Sequence, residues 1–85
     1  MKTIILPKRG AILLARIKAN NNRYTIGLRD ATYLCGYASV SGFLHFIKRW
    51  EELGLLIVER EKYQSNTYRI TQDENILKQY KIIKR

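Results

Sequence analysis

One segment, residues 39–54, restricts the possible fold more than any other part of the chain. In SVSGFLHFIKRWEELG, large apolar side chains recur three and four residues apart, which is the period of an α-helix with one buried face. Gly54 follows, and glycine ends helices because it adopts the left-handed conformation at low cost. The segment predicts a helix over 39–53 whose buried face needs cover from other elements. On a helical wheel this face holds Val40, Phe43, Ile47 and Trp50, flanked by Phe46 and Leu53.

The opposite face of this helix is polar near its start and basic further along. Ser41, His45, Lys48 and Glu52 point outward, with Gly42 and Arg49 at one border. Small residues permit close approach to another surface, and cations attract phosphate. We therefore interpret this face as a binding surface, against the alternative that Lys48 and Arg49 only form a solvated basic border. We interpret His45 as a contact residue in preference to a pH sensor.

Two shorter helices are predicted before this segment. The first begins near Pro7 and runs to the asparagines at 20–22, with Leu13, Leu14 and Ile17 on one side. After a short extended piece at 24–26, a second helix is expected over 28–35 and ends at Gly36. A two-turn helix, a break and a longer helix form the arrangement of a helix-turn-helix.

The remaining sequence predicts a β-hairpin and a last helix. LLIVERE and TYRIT are rich in branched and aromatic residues and flank the polar turn KYQSN. Residues 73–85 are expected to form a C-terminal helix, since they open with carboxylates and end with cations, as the helix dipole favours. The whole chain, residues 1–85, is thus predicted to be a single α+β domain.

Size and charge limit the function. The 85 residues, 46% of them hydrophobic, suffice for one core. Sixteen Lys and Arg against seven Asp and Glu give a formal charge of +9, which indicates a polyanionic partner, although basic charge that serves only solubility is the simpler alternative. Four of the acidic residues cluster in residues 51–61. This segregation suggests one side that faces phosphate and another kept away from it.

Other classes of function find little support in the sequence. One His, one Cys and seven carboxylates offer no nucleophile–base set, metal-ligand spacing or glycine-rich phosphate loop. We therefore expect no enzyme activity, cofactor, metal or small-molecule ligand. The lone Cys35 fits a reducing cytoplasm. The apolar runs are too short to cross a membrane, and Pro7, Lys8 and Arg9 interrupt what begins like a signal peptide.

The order helix, helix, helix, hairpin over residues 8–72 resembles the winged helix-turn-helix family, including small MarR-like transcription regulators. The most specific part is FIKRWEELGLL together with TYRIT, although Trp50 stands where the family usually has leucine. The resemblance implies that helix 39–53 lies in the DNA major groove and that the hairpin tip, or wing, contacts the backbone or minor groove.

From the resemblance and the helical wheel together we expect double-stranded DNA as the partner of a transcription regulator. The expected DNA contacts are Arg23, Arg29, Thr32, Ser39, Ser41, Gly42, His45, Lys48, Arg49, Lys62, Tyr63, Gln64, Ser65 and Asn66.

A lone first helix would leave Ile12 exposed, so either the terminal segments or a second subunit is expected to cover it, and we also expect a homodimer. The predicted dimer interface comprises Ile12 and the apolar stripe of the last helix, Ile76, Leu77, Tyr80 and Ile83. The alternative from another class is a protein-interaction or RNA-binding module of a transcription or replication complex.

Overall fold

The helical and extended patterns of the sequence become an α+β domain in the computed structural model, which describes residues 1–60 and 65–85. Within these residues four helices accompany a three-stranded antiparallel sheet and a two-stranded parallel sheet. The elements in chain order are β1 (Lys2–Leu6), α1 (Lys8–Ala19), β2 (Tyr24–Gly27), α2 (Leu28–Cys35), α3 (Val40–Glu52), β3 (Leu56–Arg60), β4 (Ser65–Ile70), α4 (Glu74–Leu77) and β5 (Tyr80–Lys84).

The three helices predicted over the first 53 residues are confirmed. Leu13 and Ile17 of α1 and Phe43 of α3 are fully buried, as their helical spacing predicts. Gly36 and Gly54 both have φ 77° just after α2 and α3, a conformation that favours glycine. Cys35 is buried as a small apolar residue, and burial raises the pKa of its thiol.

The predicted hairpin is confirmed and gains a third strand. β4 lies in the centre of the antiparallel sheet, between β2 and β3. Tyr68 of β4 pairs with Tyr24 and Val58 and directs its buried ring at Phe43, with ring centroids 6.1 Å apart. The helices therefore cover one face of this sheet, and the core lies between the two layers.

The asparagine-rich turn after α1 fastens that helix to the sheet. Asn21 and Asn22 have φ 57° and 59°, the left-handed region that asparagine enters more readily than most residues. The side chain of Asn22 accepts from Ile70 N (2.8 Å) and donates to Ile70 O (3.0 Å). The end of β4 is thus held against the end of α1.

The prediction of a C-terminal helix over 73–85 is wrong. Only Glu74–Leu77 is helical, and Tyr80–Lys84 is a strand that pairs in parallel with β1, which the sequence analysis did not identify as a strand. Residues 80–84, YKIIK, fit a strand because Ile82 and Ile83 are β-branched and a partner, KTIIL, is available.

This change also breaks up the predicted dimer interface. Ile76 and Tyr80 pack against the domain's own core, because α4 turns back toward Gly54 and β5 lies along β1. Ile12, Leu77 and Ile83 stay 39%, 37% and 45% exposed, but no single helix joins them.

In the part of the chain that the structure describes, none of the helices has the length and apolar character needed to cross a bilayer.

Candidate nucleic-acid interface

The position of α3 is fixed by its start and by its buried face. Ser39 caps the helix, since its Oγ accepts a hydrogen bond from the backbone N–H of Gly42 at 3.2 Å. Phe43 packs edge-on against Tyr37 as well as Tyr68, with ring centroids 5.8 and 6.1 Å apart. The outward side chains of α3 therefore extend from a rigid support.

The outward face of α3 is open to solvent, as predicted. Ser41, His45, Lys48 and Arg49 are all exposed. Among residues 1–60 and 65–85, no carboxylate forms an ion pair with any of these side chains. Their hydrogen-bonding and charged groups are thus available to an external partner.

Gly42 has a packing role at the start of this face. A Cβ atom added to it would lie 3.3 Å from Cδ1 of Tyr37, closer than ordinary van der Waals contact. Gly42 thus lets the Tyr37 ring lie beside the first turn of α3, and it is only half-buried. Because Gly42 has no side chain, another molecule could approach the backbone of α3 closely at this point.

Helix α2 exposes Arg29 and also Tyr33, which the sequence analysis did not identify. Tyr33 is 88% exposed and lies one helical turn after Arg29, so both project from the same side of α2. Its spacing of four residues from Arg29 is the sequence signal that could have identified it. The prediction for Thr32 is wrong, because this residue is buried and its Oγ1 donates to the Leu28 carbonyl oxygen at 2.8 Å.

Arg23 is not brought together with the α3 face. Tyr24 lies on the sheet face that meets the helices, so Arg23, its neighbour before the strand, points to the opposite face. There it lies 3.8 Å from Glu59, which also pairs with Arg69 at 2.8 Å. Arg23 therefore lies apart from the α3 face, and its expected contact with the same DNA as α3 is not supported.

The expected hairpin tip lies only partly within the described residues. Lys62, Tyr63 and Gln64 fall outside them. Ser65 and Asn66, predicted as turn residues, belong to β4, where they pair with Gly27 and Ile26. The amide of Asn66 also donates to the Tyr68 hydroxyl at 3.4 Å. These two residues are therefore half-buried strand residues, and their prediction as tip residues is wrong.

Two carboxylates of the acidic segment 51–61 are paired with the protein's own arginines: Glu51 at the end of α3 and Glu59 of β3. The guanidinium of Arg60 binds both carboxylate oxygens of Glu51, at 2.7 and 2.9 Å. These hydrogen bonds lower the pKa of Glu51. Glu51 and Glu59 are thus paired with arginines on or beside the sheet, and they form no ion pairs with Lys48 and Arg49 of α3.

A groove of about 340 Å³ runs along the border of α3. We call it the α1–α3 groove, since it separates α3 from the end of β1 and the start of α1. Arg9 is held at its wall, where Nε donates to the Gly36 carbonyl oxygen at 2.8 Å and the guanidinium lies 5.9 Å from the centre of the Tyr37 ring. Burial raises the pKa of Tyr37. The lining residues are Ile5, Pro7, Lys8, Arg9, Tyr37, Gly42, His45, Phe46, Arg49 and Trp50.

Comparisons of this chain with protein-family models, with curated proteins and with solved structures found no match.

Proposed function

We propose that this protein binds double-stranded DNA as a winged helix-turn-helix domain that places α3 in the major groove. The observation that carries the proposal is the two-sided character of α3. One side is buried in the core, and the other exposes Ser41, His45, Lys48 and Arg49 without carboxylate partners among the described residues. A formal charge of +9 supplies the attraction to phosphate that all DNA binding requires.

The order of elements supports the winged helix interpretation. Three helices precede a hairpin, as in the family that the sequence resembles, and β2 joins this hairpin as a third strand. The break between α2 and α3 contains Gly36 in the left-handed conformation, which suits the short turn of a helix-turn-helix.

The exposed residues differ in what each can bind. Arg49 presents a planar fork of donors that fits the O6 and N7 atoms of guanine. Lys48 is a point charge suited to phosphate. Arg29 and Tyr33, on the same side of α2, offer a cation and a hydroxyl to the DNA backbone beside the major groove. Specificity for the base sequence would thus come from α3, and α2 would fix the position of the protein along the duplex.

A homodimer is part of the proposal, with the interface revised. Of the residues first expected at the interface, Ile12, Leu77 and Ile83 are those left exposed for a second copy. Two copies related by a two-fold axis would place their α3 helices in half-sites about 34 Å apart. Light scattering at tens of micromolar tests this part directly, because a protein that remains monomeric there would contradict it.

The main experiment measures binding of a fluorescent duplex by anisotropy at several salt concentrations. We expect the affinity for duplex DNA to fall steeply with salt, and Lys48→Gln to reduce the slope of log K against log salt by about 0.9. Arg49→Gln is expected to weaken binding and to relax base preference. Arg16→Gln is the matched control, because it removes one exposed positive charge from the end of α1.

Three results would contradict the proposal. An affinity that does not depend on salt concentration would show that phosphate contacts do not contribute to binding. Equal losses from Arg49→Gln and Arg16→Gln would show that only net charge matters. Tighter binding of duplex RNA than of duplex DNA would favour the alternative, an RNA-binding module.

A further inference from the structure

We propose that the α1–α3 groove binds a small, flat apolar molecule that carries one negatively charged group. Nothing in the sequence predicts a ligand here, because the lining comes from β1, α1, α3 and the turn before α3. The proposal concerns the ligand alone and holds whether or not the protein binds DNA.

The floor of the groove is apolar and aromatic. Phe46 and Trp50 are 6% and 3% exposed, and their ring centroids are 5.4 Å apart with a 39° tilt between the planes. The wall opposite α3 includes Ile5, which is 54% exposed, and Pro7. An apolar body in the groove would therefore remove Ile5 from water and contact the aromatic edges below it.

The rim of the groove is cationic. Lys8, Arg9 and Arg49 line it together with His45, and none of the lining residues in the described part of the chain is acidic. Within the described residues, the ion pairs of this protein all lie elsewhere, between Glu51 or Glu59 and the arginines of the hairpin and of the turn before β2. Since no carboxylate of residues 1–60 and 65–85 pairs with this rim, a bound anion would supply the complementary charge.

Arg9 gives the rim a fixed donor. Its Nε is bound to the Gly36 carbonyl oxygen and its guanidinium lies beside Tyr37, so the side chain is held in place while the N–H groups of its two terminal nitrogens remain for another acceptor. A preorganised donor binds an anion with less loss of side-chain entropy than a free one. Arg49, on the other side of the groove, offers a second fork for a carboxylate or sulfonate.

The size of the groove agrees with this class of ligand. Its volume, about 340 Å³, lies at the lower end of the range for small-molecule sites. Gly42 keeps the α3 side low, since a side chain there would crowd Tyr37. A molecule of one or two fused rings with a single anionic substituent satisfies both the volume and the charge.

The test uses naphthalene-2-sulfonate as the probe and naphthalene-2-methanol as its uncharged counterpart. Each is titrated into the full ¹⁵N-labelled chain and followed by amide chemical shifts. We expect the sulfonate to shift the amides of Gly42, His45 and Arg49 and to bind several-fold more tightly than the alcohol. Arg49→Gln should weaken sulfonate binding about three- to tenfold, Arg49→Lys should retain part of it, and Arg16→Gln should leave it unchanged.

Other outcomes would overturn the proposal. Equal affinity for sulfonate and alcohol, or equal losses from Arg49→Gln and Arg16→Gln, would show that the rim does not recognise the anion. Shifts confined to a second cavity of about 380 Å³ under the terminal strands, lined by Leu14, Leu55 and Ile82, would place the ligand elsewhere. The dispersion of the amide spectrum of each variant shows that the domain is folded, so that lost binding reflects the site.

Discussion

The backbone of Gly10 in α1 lies directly against the ring of Phe46 in α3. A Cβ atom added to Gly10 would lie 2.5 Å from Cζ of that ring, well inside van der Waals contact. The glycine therefore sets the distance at which α1 and α3 pack, and with it the position of the outward face of α3.

Gly10→Ala is expected to destabilise the domain. Overpacking costs about 1 to 3 kcal/mol, and the better helix propensity of alanine offsets about 1 kcal/mol of this. The net loss in the free energy of unfolding is thus about 0 to 2 kcal/mol, measured by urea denaturation.

A double-mutant cycle isolates the contact between these two residues. In a Phe46→Leu background, Gly10→Ala should be neutral or slightly stabilising, because the ring atoms that clash are gone. If the substitution costs as much in that background as in the wild type, the close approach of Gly10 to Phe46 is not its cause.

The Glu51–Arg60 pair predicts a pH dependence of stability. Because hydrogen bonds from Arg60 lower the pKa of Glu51 in the folded state, the pair stabilises the fold above the ordinary glutamate pKa of 4.5. This contribution is lost as the pH falls through the lower, folded pKa. Glu51→Gln should therefore cost about 0.5 to 1 kcal/mol at pH 7, and the difference from the wild type should shrink toward about pH 3.

Glu52→Gln is the matched control for this pH series. Glu52 is exposed on α3 and forms no ion pair within residues 1–60 and 65–85, so the same change in charge should alter stability little at any pH. A gap between wild type and Glu51→Gln that stays constant down to pH 3 would show that ionisation of Glu51 is not responsible.

The two sides of α2 are expected to respond differently to substitution. Tyr33→Phe removes an exposed hydroxyl and should weaken DNA binding without affecting stability. Thr32→Val removes the hydrogen bond to the Leu28 carbonyl oxygen and should cost about 1 kcal/mol of stability without affecting DNA binding. Anisotropy and urea denaturation of both variants check this, and a loss of DNA affinity in Thr32→Val would restore the original prediction for that residue.

The groove and the proposed DNA surface share His45 and Arg49, so their ligands should compete. We expect naphthalene-2-sulfonate to release a fluorescent duplex at concentrations that shift the amides of the groove, and the uncharged alcohol to release it less. Sodium benzenesulfonate at equal ionic strength controls for screening of charges by salt. Its smaller ring covers less of the apolar floor of the groove, so it should release less duplex by binding there. If the probe binds in the groove while the duplex stays bound, the DNA contacts do not include Arg49.

The helices could be predicted from the sequence because their signals are local. The spacing of Phe43, Ile47 and Trp50 fixes the buried side of α3, and Gly36 and Gly54 mark the ends of α2 and α3 within two residues. The exposed face of α3 follows from the same wheel, which is why the exposure of Ser41, His45, Lys48 and Arg49 could be predicted. Thr32 was misplaced because a polar residue on a short helix carries no local sign that its hydroxyl is satisfied by the preceding turn.

The terminal strands could not be predicted in the same way. In residues 76–83 the apolar positions fit a helical stripe as well as they fit a strand, so the local pattern is ambiguous. What decides between the two is the parallel partner β1, at the other end of the chain. The α1–α3 groove was missed for a related reason, since Ile5, Arg9 and Arg49 meet only after the chain has folded.

The pairing of β1 with β5 has a consequence for how this domain is completed on the ribosome. Lys2 is synthesised before the helices and the antiparallel sheet, whereas its partner Tyr80 emerges only after them. Until then β1 carries unpaired backbone groups and the apolar side chains of Ile4, Ile5 and Leu6, which are a template for wrong partners. During synthesis there is therefore a stage at which the helices and the antiparallel sheet can already pack while the apolar strand β1 has no partner.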